Sequence, residues 1–279
     1  MTDQQKQRFE ALIEEGYEFT SSTYLEKGWK IFSQYFAGFA GFGALVAILE
    51  LILYQIGMIP GFLVASLLIG PVATAGLYWV AQLIDRSQAY EPKDFLYGIN
   101  HFFPLVVVNL LMMIITALVV SPAVYALYES GFFSWYQEVL ANPITSPAPP
   151  ELPARTSTVV FLNFIPLIYL YVSYLWAIPL VLFYQASPWQ ALESSRRLIS
   201  RKWFAVFRLF LVIISATIFV AMLLGMISSL NPALNFISTI GLAIVNGLVM
   251  CIFYAAFSDV TAPLEDPDVE EELLDHFIS

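Results

Sequence analysis

The chain has 279 residues, 59% of them apolar and only 12% charged, with a mean hydropathy of +0.73, a mixture that excludes an ordinary water-soluble domain. Its single cysteine, Cys251, lies in an apolar run, which excludes an intramolecular disulfide and a multi-cysteine metal site and reads as a small buried hydrophobe. The formal charge of −10 sits at the ends, with six acids in the first 26 residues and eight from Asp259 onward, and this balance gives no support to nucleic-acid binding.

Residues 1–33 form a polar segment with Phe9, Leu12 and Ile13 on one helical stripe, followed by an interfacial helix in which Tyr24, Trp29, Ile31 and Phe32 lead toward Phe36. This segment lacks the short apolar stretch and cleavage site of a signal peptide, so targeting is expected from the first span. Six apolar runs follow, at about 34–56, 60–84, 102–127, 158–184, 204–228 and 233–257. Each meets the roughly 20 residues that a hydrocarbon core demands of a helix. The expected fold class is therefore all-α: a polytopic membrane helical bundle, residues 34–258, with six transmembrane helices and amphipathic interfacial helices. Residues 259–279 are expected to form an acidic cytoplasmic tail.

The connections around Gly57–Pro60 and Ser229–Asn235 are short and rich in Gly, Pro, Asn and Ser, which suits tight turns. The third connection is the longest. Its stretch from Asn142 to Pro153 favours extended polyproline-like backbone, and Phe132, Phe133, Trp135 and Tyr136 before it look interfacial. Basic residues retain short loops in the cytoplasm, and eleven of the twelve lie in the N-terminal segment, the second connection and the region from Arg196 to Arg208 at the entry of span five. Only Arg155 falls on the other side, so both termini are expected inside. An aromatic amphipathic stretch before each odd-numbered span (from Trp29, from Phe95 and from Leu198) also suggests three similar hairpins in parallel repeat.

Glu50 is the one acid inside an expected span, where a carboxylate costs several kcal/mol unless it is protonated, paired or beside water. It reads either as an interfacial or hydrogen-bonded group or as a proton, cation or substrate site. Asn109, Asn163 and Asn246 lie within spans three, four and six, either as interhelical hydrogen bonds or as a polar pathway shared with Glu50. Small residues four apart (Ala37 and Gly41, Gly57 and Gly61, Ala243 and Gly247) would allow close helix packing. Before span five, Ser187 can cap a helix opened by Pro188, with Trp189, Leu192, Ile199 and Trp203 on one face. The cations Arg196, Arg197, Arg201 and Lys202 of this helix would contact anionic lipid headgroups on the cytoplasmic side, at about 1 kcal/mol each. The acidic tail reads first as a disordered solubilising segment; with Leu273, Leu274, Phe277 and Ile278 it is also, like the Pro-rich loop, a candidate surface for a protein partner, and it could also clamp onto the basic helix.

Two histidines cannot build a His-rich metal site, and the phosphate-cradling Gly-rich loop and the Gly-x-Ser-x-Gly nucleophile turn are missing. The sequence thus carries no recognisable catalytic constellation and calls for no metal or cofactor. Four stretches, Glu26–Phe32, Gly70–Tyr78, Asp94–Ile99 and Pro188–Leu198, resemble those of uncharacterised bacterial six-span inner-membrane proteins related to the membrane domain of glycerophosphodiester phosphodiesterases. The resemblance covers about residues 25 to 260. It implies the six-span topology and a bacterial inner membrane, and it supplies neither catalytic residues nor a phosphodiesterase domain. The expected role is a non-enzymatic membrane component, either an accessory subunit or an envelope-maintenance protein. A transporter or channel for a small or lipidic solute is the alternative, with a lipid-modifying enzyme behind both.

Overall fold

The computed structural model describes residues 3–142, 148–231 and 234–262. In chain order, α1 (Asp3–Glu15) and α2 (Ser21–Gln34) precede α3 (Phe36–Tyr54). Next come α4 (Met58–Val64), a π-helical turn (Ala65–Ile69) and α5 (Gly70–Asp85). A 3-10 segment (Pro92–His101) leads into α6 (Phe102–Glu129), followed by α7 (Phe132–Ala141), α8 (Ala154–Ser173) and α9 (Ala177–Tyr184). The chain continues through α10 (Pro188–Arg201), α11 (Trp203–Leu230) and α12 (Asn235–Thr261). Six helical stretches are long and apolar enough to cross a bilayer: Phe36–Tyr54, Ile59–Asp85, Pro92–Glu129, Ala154–Tyr184, Trp203–Ser229 and Asn235–Thr261. The chain is an all-α multi-pass membrane protein, with no strand among the described residues. Residues 143–147 of the Pro-rich connection and 263–279 of the acidic tail lie outside the described residues.

Prolines lie within several spans, and near Pro71, Pro122 and Pro179 a polar side chain from a later helix bonds to the backbone. In α5, Pro71 has no N–H to offer the Ser66 carbonyl, while the Gly70 N–H reaches back to Ala65, which makes the turn π-helical. Asn109 of α6 donates to that Ser66 carbonyl at 2.6 Å. In α6, Pro122 withdraws the donor that Leu118 would use. The Ser121 hydroxyl returns one at 2.8 Å, and Asn163 of α8 donates to the next carbonyl, Val119, at 2.9 Å. Between α8 and α9, Pro179 prevents a continuous helix. There the Ser195 hydroxyl of α10 donates to the Ser173 carbonyl at 2.8 Å and accepts from the Trp176 N–H at 3.2 Å. These bonds tie α5 to α6, α6 to α8, and α8–α9 to α10 in succession.

The packed core gathers at the end of the bundle that carries the basic residues. Trp176, Tyr24, Tyr254, Phe39, Phe95 and Phe257 are fully buried there. Phe183 of α9 stands 6.2 Å from Tyr254 and 5.9 Å from Phe257 of α12, and 6.4 Å from Trp79 of α5, ring centre to ring centre. The even-numbered spans therefore meet at the centre, whereas α6 and α11 leave most of their length open to hydrocarbon.

Each short element before an odd-numbered span docks on an even-numbered span. Gly28 of α2 lies against the Ile252 backbone of α12, Gly98 of the 3-10 segment against Val72 of α5, and Ser195 of α10 against the α8–α9 junction. A Cβ at Gly28 would come 2.6 Å from the Ile252 Cα, so only glycine permits that approach. Two local expectations need correction. Ser187 stands at the N-terminus of α10, but its hydroxyl makes no capping bond, because Pro188 already fixes the entry geometry. Asp259, Val260 and Thr261, read as the start of the tail, belong to α12, since Val260 and Thr261 are buried and Asp259 accepts the Tyr24 hydroxyl at 2.8 Å.

Replacing Asn109 by Leu is expected to destabilise the protein by about 1–2 kcal/mol in a detergent unfolding assay, since the Ser66 carbonyl would be left unpaired. Combining it with Pro71→Ala, which restores a local N–H donor, should recover part of that loss. Equal losses in both backgrounds would show that the bond does not repair the proline break.

Candidate functional site

Among the four polar residues singled out within the spans, the structure separates two pairs. Asn109 and Asn163 are committed to the carbonyls of Ser66 and Val119. Glu50 and Asn246 instead line one cleft of about 430 Å³ between α3, α5 and α12. Neither makes a hydrogen bond or ion pair with a described residue; Glu50 is half-buried and Asn246 exposed. Thr74, Thr239 and Tyr54 add hydroxyls to walls that are otherwise Gly, Ala, Val, Leu and Phe.

Small residues shape this cleft. Gly43 of α3 presses on the Ala243 carbonyl of α12, and Gly247 packs on Phe32 and Phe39, so the two helices touch on the basic side of Glu50. Phe39, Tyr78 and Cys251 are buried along the same seam and close it toward the basic end. Of the other small pairs, Gly61 meets the backbone of Leu53 and Tyr54, whereas Gly41 faces open space. A second hollow of about 320 Å³ lies between α11 and α12, lined by Phe210, Ile213, Thr217 and Phe253. Asn246 and Leu242 border both hollows, so the Asn246 amide stands between them.

In hydrocarbon-like surroundings an uncompensated carboxylate draws a cation, a proton or a hydrogen-bond donor toward itself. With the amide and hydroxyls nearby, the cleft can bind a polar group and hold the rest of an apolar molecule against its walls. Among the described residues, no group of three His, Cys, Asp or Glu side chains stands close enough to hold a metal ion.

The basic helix is rearranged relative to expectation. Arg196 forms a two-pronged pair with Glu193 at 2.6 and 2.8 Å, and Arg197 a two-pronged pair with Glu10 of α1 at 2.5 and 2.6 Å. Each arginine, chiefly through its hydrogen bonds, holds its partner's carboxyl below the ordinary carboxylate range. Only Arg201 and Lys202 of the four remain exposed and without an ion-pair partner among the described residues.

A further polar cluster at this end escaped the sequence reading. Lys27 of α2 bridges to Asp85 at 2.8 Å and donates to the Ser258 hydroxyl at 3.3 Å, while the Tyr254 hydroxyl donates to Asp85 at 3.2 Å. These contacts pin α2, α5 and α12 together beneath the seam. Their only sequence signal was one acid at the end of span two facing a lysine-bearing interfacial helix. Comparison with family models, with curated proteins and with solved structures finds no match.

Because the folded-state carboxyl of Glu10 titrates below its ordinary value, its bridge to Arg197 contributes at neutral pH and is lost as pH falls through the folded value. Both groups are about half exposed, so the contribution is at most about 1 kcal/mol. Acidification or Glu10→Gln should speed amide hydrogen exchange in α1 about two- to fivefold, and Glu10→Gln should remove the acid sensitivity. Unchanged exchange in the variant would mean that Phe9, Leu12 and Ile13 alone hold α1 in place.

Proposed function

We propose that this protein binds a small or lipidic solute within the membrane, at the cleft of Glu50 and Asn246, and does so as a transporter or channel-like component rather than as an enzyme. The observation that carries this reading is the division of the polar residues. Asn109 and Asn163 each give an amide N–H to a helix carbonyl, whereas Glu50 and Asn246 face one cavity. The Glu50 carboxyl in that setting favours a solute with an ammonium or comparable hydrogen-bond donor at one end and an apolar remainder. The same proposal places the chain in a bacterial inner membrane with both termini cytoplasmic, in keeping with the basic residues at one end of the bundle and with the resemblance to the six-span family.

Thermal unfolding of the purified protein with a series of alkylammonium ions tests this reading. At a concentration one hundred times Kd, binding should add about 2.7 kcal/mol of stability and raise the Tm by several degrees. Glu50→Gln should lose most of that shift while unfolding at its usual temperature without ligand. A series that moves the Tm of neither protein would remove the solute reading.

The second reading is an accessory or envelope component held by lipid and partner contacts, and the unpaired Arg201 and Lys202 favour it. If these two carry the contact with anionic headgroups, Arg201→Gln with Lys202→Gln should weaken binding to anionic vesicles by about 1 kcal/mol per charge. Arg196→Gln with Arg197→Gln should have much less effect, because those cations are already neutralised. Equal effects of the two pairs would return all four to the lipid contact.

A further inference from the structure

At the basic end, a hollow of about 450 Å³ opens between α2 and the end of α5. Its floor is the Lys27–Asp85 bridge, in which the two charges already answer each other. Above it, on α2, stand Glu26 and Lys30, both exposed. Their spacing of four residues usually favours a bridge, yet they form none with each other or with another described residue. Thr23 and Gln34 stand on the same wall. At 100° per residue, Thr23, Glu26, Lys30 and Gln34 share a sector of α2 about 80° wide, opposite the buried Tyr24, Gly28 and Phe32. Trp29 projects about 60° to one side of that sector and is exposed, as an aromatic side chain at a membrane interface would be.

A hollow that offers one free carboxylate and one free ammonium, over a floor of balanced charge, is poorly matched to a simple anion or cation, either of which meets a like charge. We propose that it is a headgroup site for a zwitterionic aminophospholipid, a phosphoethanolamine lipid of the leaflet on the basic side. Lys30 with Gln34 and Thr23 takes the phosphate, and Glu26 takes the primary ammonium. The N–H donors of that ammonium distinguish it from phosphocholine, whose quaternary nitrogen has none to give a carboxylate and is better recognised by aromatic faces. Trp29 beside the opening commits the site to a membrane lipid rather than a soluble headgroup, because it sets the hollow at headgroup depth. This site does not depend on the Glu50 reading.

The test is native mass spectrometry of the full chain after equilibration in detergent with equal amounts of phosphatidylethanolamine, phosphatidylcholine and phosphatidylglycerol. Phosphatidylethanolamine should be retained about fivefold or more over each of the others, the yield of one partly screened charge pair of about 1 kcal/mol. Lys30→Gln should abolish that preference, and Glu26→Gln should shift retention toward phosphatidylglycerol. Both residues are exposed, so unchanged thermal unfolding is expected to accompany either change. Equal retention of the three lipids by the unaltered protein, or a preference that survives both substitutions, would overturn the proposal. Free phosphoethanolamine at millimolar concentration should leave the lipid bound; its displacement of the lipid would overturn the commitment to a membrane ligand.

Discussion

Inside a bilayer no water is at hand for a backbone carbonyl that has lost its N–H partner, and the rest of this structure follows from how that constraint is met. Pro71, Pro122 and Pro179 each interrupt a span. Their repair is only partly local, since Ser121 returns a donor to Leu118 within α6. Asn109, Asn163 and Ser195 reach across from neighbouring helices, so near these three prolines a bond also specifies which helix must lie beside the span. Individually such bonds are modest, about 0.6 kcal/mol on average between membrane helices. Their larger effect is on register, because a carbonyl without a donor at a fixed height accepts only one placement of the neighbouring amide or hydroxyl.

The candidate binding cleft is the complement of this arrangement. Asn109 and Asn163 are turned to helix carbonyls, and small residues draw α3 and α12 together on the basic side of Glu50. What remains is a gap with a carboxylate and an amide in its walls. The charge pairs that fasten α2 to α5 and α1 to α10 sit at the basic end with the aromatic core, so rigidity concentrates there. The cleft lies toward the less tightly packed half.

Six long apolar runs made the fold class legible, because the energetic demand of a bilayer on length and apolarity leaves a signature in any window of about 20 residues. The interfacial helices were legible in their aromatics. The roles of the three asparagines were not, since nothing in their local sequence distinguishes Asn246, which borders a cavity, from Asn109, whose acceptor is 43 residues away beside a proline. The same difference of range divides the basic helix. Glu193, three residues before Arg196, was within reach of the eye, whereas Glu10 lies 187 residues from Arg197. Ser195 gave no signal, because a single serine is informative only once the unpaired carbonyl and N–H it bridges have been located.

The docking of α2 on α12 joins an early helix of the chain to the last helix among the described residues. During synthesis the ribosome releases α2 long before α12 exists, so Gly28 and Tyr24 have no surface to pack on until the sixth helix has entered the bilayer. Assembly therefore closes in a ring, in which the insertion of α12 completes the docking of α2. A nascent chain arrested before α12 would carry α2 as an open amphipathic segment, available to the insertion machinery or to proteases that survey unfinished membrane proteins.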